Sequence, residues 1–110
     1  MDNLYYILND KGEPVTCDDV LIWGEWFETH DRTVKKTYIN GVEISTVFLG
    51  LDHNFGSGAP LLYETMVFND YDSNLIFRYA TREEALHGHK VTVKKLIEES
   101  EESQQKINPE

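Results

Sequence analysis

The chain has 110 residues, 40 % of them apolar, and a formal net charge of −10, which fits one domain with one modest core. Cys17 is the single cysteine, so no intramolecular disulfide can form, no apolar run approaches the roughly 20 residues of a membrane span, and MDNLYYILND lacks the basic segment that opens a signal peptide. Five glutamates against one lysine from Glu98 to Glu110 put −4 in the tail and leave −6 on the body, a balance that repels nucleic acid and offers no basic stripe to bind it.

In chain order, Leu4 to Leu8 reads as a strand ended by Asn-Asp-Lys-Gly, and Pro14-Val15 can pair back on it. Thr16 precedes an apolar-periodic run and can cap a helix from about Cys17 to His30, with Asp19 at the acidic position of a capping box. At 100° per residue, Val20, Ile22, Trp23, Trp26 and Phe27 share one side, and Leu21 points outward among polar residues. Asn40-Gly41 between Thr33–Ile39 and Val42–Leu49 is a hairpin signal, because a type I′ turn needs positive φ at both positions. That turn sets Ile39 opposite Val42, Thr37 opposite Ile44 and Lys36 opposite Ser45.

Leu61 to Phe68 and Leu75 to Ala80 are further strands, joined through Asn69-Asp70-Tyr71-Asp72-Ser73. Thr81-Arg82-Glu83-Glu84 is a capping box opening a second helix to about Ser100, with Ala85, Leu86, His89, Val93 and Leu96 as its apolar stripe. EESEESQQKINPE has little to bury and is expected to be frayed or disordered. The sum is an α+β domain over residues 1–97, ordered β-α-β-β-β-β-α, with four to five antiparallel strands in a meander, two helices packed on one face, and an acidic tail over 98–110.

The candidate chemistry centres on the eleven residues Gly50–Pro60, which carry three glycines and the Asp52-His53 pair. Two to five residues suffice for a hairpin, so a loop of this length on rigid strands is a place for binding residues. The alternative is a loop that only turns the chain, with Phe55 filling a gap in the core and Asp52 and Asn54 making local hydrogen bonds. Asp52 and His53 supply a carboxylate and an imidazole suited to ligation or proton transfer. Glu64 joins them as a catalytic candidate if the even side of its strand faces the helices. No HxH, HExxH or CxxC spacing is present, so no metal or cofactor is expected. His89 reads as a core histidine with hydrogen-bond partners. Gly88 beside it weakens the helix unless the sheet approaches closely there. Cys17, at the start of a helix, sits where a thiol pKa falls, yet no histidine is near it in sequence.

"STVFLGLDHNFG", "PLLYETMVF" and "YATREEALHGH" resemble a family of small proteins of bacteriophage genomes and bacterial prophages. The likeness spans about Val20 to Val91, with Ala59 in place of a proline and Tyr63 in place of a phenylalanine. The resemblance implies a phage or mobile-element setting in a bacterial host cell and assigns no functional residue. The combined expectation is a cytoplasmic, acidic accessory protein that binds a protein partner through Leu21, Trp26, Asp52, His53, Asn54 and Phe55, with inhibition of a host factor as one purpose. A small metal- or ligand-dependent enzyme using Asp52, His53 and Glu64 is the alternative. A virion or assembly component that self-associates, for instance as a homodimer, is the third. No membrane or nucleic-acid partner is expected.

Overall fold

The computed structural model of the chain describes residues 4–68 and 76–107, with side chains described through residue 99. The elements are β1 (Tyr6–Leu8), β2 (Pro14–Thr16), α1 (Val20–Thr29), β3 (Thr33–Ile39), β4 (Val42–Phe48), β5 (Tyr63–Phe68), β6 (Ile76–Tyr79) and α2 (Arg82–Ile107). β3 to β6 form one antiparallel sheet in chain order, and β1 pairs with β2 in a separate antiparallel ribbon. The protein is thus an α+β meander with two helices. The β5–β6 connection, 69–75, lies outside the described residues.

The hairpin forms at Asn40-Gly41, whose φ angles are 49° and 83°, and Ile39 faces Val42, Thr37 faces Ile44 and Lys36 faces Ser45. Both central residues are left-handed, as a two-residue turn matched to strand twist requires. Along β4 and β5 the pairs Ile44–Val67, Thr46–Thr65 and Phe48–Tyr63 share one face, and all six residues are buried. α2 lies across that face, reaching all four strands. Ala85 joins Phe48, Leu62 and Tyr63 in the core, and Trp26 of α1 packs edge-on against Phe48, with ring centroids 5.8 Å apart. The odd residues of β5 therefore face inward, and Glu64 points to the opposite side of the sheet.

Two helix boundaries differ from expectation. α1 starts at Val20, not Cys17, because Asp19 is itself the cap: its carboxylate accepts the N–H of Leu21 at 2.9 Å. Asp18-Asp19 and Thr16 are all competent caps, and sequence alone does not rank them. Cys17 consequently lies outside the helix, buried, with Sγ donating to the Asp19 carbonyl, and the case for thiol activation by a helix end lapses. At the other end α2 continues to Ile107, past Ser100 and through residues expected to fray. Glu, Gln and Lys are good helix formers, and no glycine or proline follows Gly88 until Pro109. The capping box of α2 forms as read: the Thr81 hydroxyl accepts the Glu84 N–H while the Glu84 carboxylate accepts the Thr81 N–H.

Gly88 is explained by Tyr79 of β6. A Cβ at position 88 would collide with the Tyr79 hydroxyl and ring edge. The absent side chain lets Tyr79 lie against α2, beside a groove of about 450 Å³ whose walls include Val67, Phe77, Val91 and Leu96. Gly→Ala inside a helix ordinarily gains about 1 kcal/mol. Here Gly88→Ala is expected to lower the thermal midpoint, because the rigid Tyr79 ring must leave its site, and the loss should be smaller in a Tyr79→Ala background. A stabilised Gly88→Ala variant in chemical denaturation would contradict this packing.

Candidate protein-binding surface

The Gly50–Pro60 loop is closed at its stem by backbone bonds: Leu49 N–H donates to Leu62 O at 2.7 Å and His53 N–H to Leu61 O at 3.0 Å. It is tied to β1 as well, since Tyr6 N–H donates to Gly50 O and Asp52 N–H to Leu4 O. α1 docks on the same residue. The Trp23 indole donates to Gly50 O at 2.8 Å, and the Phe27 ring lies 3.3 Å from where a Cβ on Gly50 would stand. Gly50 has φ 73°, so both its backbone angle and its close aromatic neighbours favour glycine. Loop, ribbon and first helix thereby meet at one end of the sheet.

Inside the loop, Asp52 is 3 % exposed. One carboxylate oxygen accepts the N–H groups of Asn54 at 2.7 Å and Leu61 at 3.0 Å, and the other accepts that of Gly56 at 3.0 Å. Burial by itself would raise the carboxyl pKa, but the three backbone donors, with the neighbouring His53, outweigh it and hold the group below the ordinary carboxylate range. Asn54 is used internally too, its amide donating to the carbonyls of Ser57 and Ala59. Their effect is to project Phe55, which is 68 % exposed with φ 52°. The expected core-filling role for Phe55 does not hold. His53 is half-buried, its ring tilted against Phe55 at 6.2 Å between centroids.

The six expected contact residues thus divide. Leu21, 81 % exposed, and Phe55 present apolar surface to solvent. Trp26 is half-buried between Phe48 and the stacked ring of His30, so it braces the surface rather than forming it. Asp52 and Asn54 shape the loop. Sequence reading missed Val20 and Ile22, assigned to the buried side of α1, which are 52 % and 56 % exposed. Among the described residues α1 is held by Trp23, Trp26 and Phe27, one and two turns further on, and its first turn overhangs them. An apolar group on the buried side of a helical wheel is buried only where a neighbour reaches that far along the axis.

The catalytic candidates are not united. Glu64 is buried on the far side of the sheet, where its carboxylate accepts the Arg78 Nε–H at 3.0 Å from the neighbouring strand. Among the described residues no group of three or more His, Cys, Asp or Glu side chains is placed to hold a metal ion. His89, 1 % exposed, instead sits in a hydroxyl chain. Nε2 is 2.8 Å from Thr37 Oγ1, Nδ1 is 2.7 Å from Thr46 Oγ1, and Thr46 Oγ1 is 2.6 Å from Thr65 Oγ1. Burial, then the nearby Lys35, pushes the imidazole below its usual pKa, keeping it neutral at pH 7. Strand alternation and the hairpin register already place Thr37 and Thr46 on one face, and inward threonines opposite an inward histidine were the signal for this chain.

Comparison with protein-family models, with curated proteins and with solved structures finds no match. No helix among the described residues is long and apolar enough to cross a membrane.

Replacing Asp52 by Asn removes the charge that three donors share, and is expected to cost about 1–3 kcal/mol at pH 7. Because the folded pKa lies below the unfolded one, the unfolded chain protonates first as pH falls. The stabilisation is complete above the unfolded value of about 4 and is lost as pH drops through the folded value. Denaturant titrations from pH 7 to pH 3 should therefore show the two proteins converging below about pH 4. A gap that stays constant over that range would contradict the charge assignment.

Proposed function

We propose that the protein is a small acidic binding module that docks on a protein partner through the apolar groups at the Gly50 end of the sheet. One observation carries the reading: Phe55 is held outward, in a left-handed backbone conformation unusual for a non-glycine residue, by a loop whose buried carboxylate and amide are committed to fixing its shape. A positive φ at a bulky residue costs energy and persists only where its surroundings impose it. Rigid aromatic groups lose little entropy on binding and recur as interface anchors. Val20, Leu21 and Ile22 add exposed apolar surface on the helix anchored to the same glycine.

The net charge of −10 favours a partner with a basic rim, where opposite charge speeds encounter. The resemblance to small phage and prophage proteins supports a cytoplasmic setting in a bacterial host and a host factor as target. The enzyme reading is weaker, because every Asp52 oxygen already accepts backbone donors and Glu64 already pairs with Arg78.

The test is site-specific photo-crosslinking from positions 21 and 55 in bacterial cells, identification of the captured protein, and calorimetry with that purified protein. Leu21→Glu and Phe55→Ala are expected to weaken binding by at least about tenfold while leaving thermal stability nearly unchanged, since both side chains are exposed. Binding that survives both substitutions, or no capture from either position, would overturn the reading.

A further inference from the structure

A pocket of about 530 Å³ lies between edge strand β3 and α2, lined by Lys35, Thr37, Leu86, His89, Lys90 and Val93. Its lining includes two lysines and no acidic residue, in a chain with a net charge of −10. Among the described residues the ion pair is Glu64–Arg78, so neither lysine has a carboxylate partner there. Lysines on an edge strand discourage sheet-to-sheet association, which accounts for Lys35 and Lys36 on β3. It does not account for Lys90, which faces the same space from the helix.

Thr37 and His89 form a polar part of the wall and are already joined to each other. Thr37 Oγ1 contacts His89 Nε2 at 2.8 Å, and a hydroxyl has one donor and two acceptor sites. If Nε2 carries the imidazole proton and donates to Thr37, the Thr37 hydroxyl proton is free to point into the pocket. Thr46 then donates to Nδ1 and Thr65 to Thr46, and all three contacts of the chain remain satisfied. The Lys35 charge is close enough to His89 to depress its pKa.

We propose that this pocket binds a small oxyanion of the phosphate type, held between the Lys35 and Lys90 ammonium groups with the Thr37 hydroxyl donating to it. Two like charges facing one cavity repel, and a bound anion converts that repulsion into attraction. The anion also selects the Nε2–H form of His89, so a buried ring with no contact to solvent reports on occupancy. The site stands apart from the docking surface at the Gly50 end and does not rest on it.

The probe is inorganic phosphate, titrated into ¹⁵N-labelled protein at constant ionic strength, with chloride and acetate as matched controls and a nucleoside monophosphate as a fourth arm. Saturable shifts at Lys35, Thr37 and the His89 ring nitrogens are expected with phosphate, with Nδ1 moving toward the acceptor position. Lys90→Gln should weaken binding by about tenfold or more, and Lys36→Gln, on the other side of the strand, should leave it unchanged. Unaltered His89 signals in the ligand-free variants show that the fold is intact. Tighter binding of the nucleoside monophosphate assigns the phosphate to a nucleotide, and equal binding assigns it to the free ion. A phosphate response no larger than that to chloride or acetate, or one equally weakened in Lys36→Gln, would overturn the proposal.

Discussion

A charged carboxylate withdrawn from solvent organises one end of this molecule. Burying an ion is costly unless donors replace the water it loses. Asp52 finds three of them in the backbone of its own loop, at residues 54, 56 and 61. Those bonds bring the beginning and the end of the loop onto one group, so the loop has a shape rather than a range of shapes. The same segment supplies Gly50, on which Tyr6 of the ribbon and Trp23 of α1 both donate hydrogen bonds to one carbonyl. Among the described residues the first helix is held by that carbonyl, by Trp26 against Phe48 and the core around it, and by the Tyr5 and Arg32 side chains against Trp23 and Phe27. Loosening the loop would therefore weaken an anchor that the ribbon and α1 share.

The face of the sheet under α2 is held by a different polar device. The Thr37–His89–Thr46–Thr65 chain runs from β3 to α2, back down to β4 and on to β5. A neutral imidazole has one donor and one acceptor nitrogen, so Thr37 and Thr46 take opposite roles on the ring. Such a network fixes how the helix is set down on the sheet, because a slip of one helical residue would break both His89 contacts and strand a buried imidazole. The apolar core nearby is small, with Phe48, Tyr63, Leu62 and Ala85 at its centre. Two polar fastenings suit a domain whose core is too modest to specify the packing by shape alone.

Much of the layout was legible from local chemistry. Asn40-Gly41 dictated the hairpin and its register, and Thr81 with Glu84 dictated the start of α2, because each signal is complete within four residues. What could not be read depended on groups distant in sequence. Which side of β5 faces the helices follows from His89 meeting Thr46, which in turn meets Thr65, and that decides that Glu64 pairs with Arg78 rather than entering a site. Val20 and Ile22 fit a buried stripe by periodicity, yet exposure is decided by how far the Trp23 anchor lets α1 reach over its neighbours. The loop was recognisable as unusual from its length and glycines. The local hydrogen bonds of Asp52 and Asn54 were legible as one reading of the loop, whereas the Leu61 N–H, nine residues on, was not.

The functional reading rests on that loop being rigid, since a floppy Phe55 would be an ordinary exposed side chain. Amide hydrogen exchange at Gly56 and Leu61 tests this most directly, because both N–H groups end on the Asp52 carboxylate. Exchange slower than in an unstructured chain by about tenfold or more is expected, together with loss of that protection in Asp52→Asn. Exchange at the unstructured rate in the unmodified protein would contradict the account.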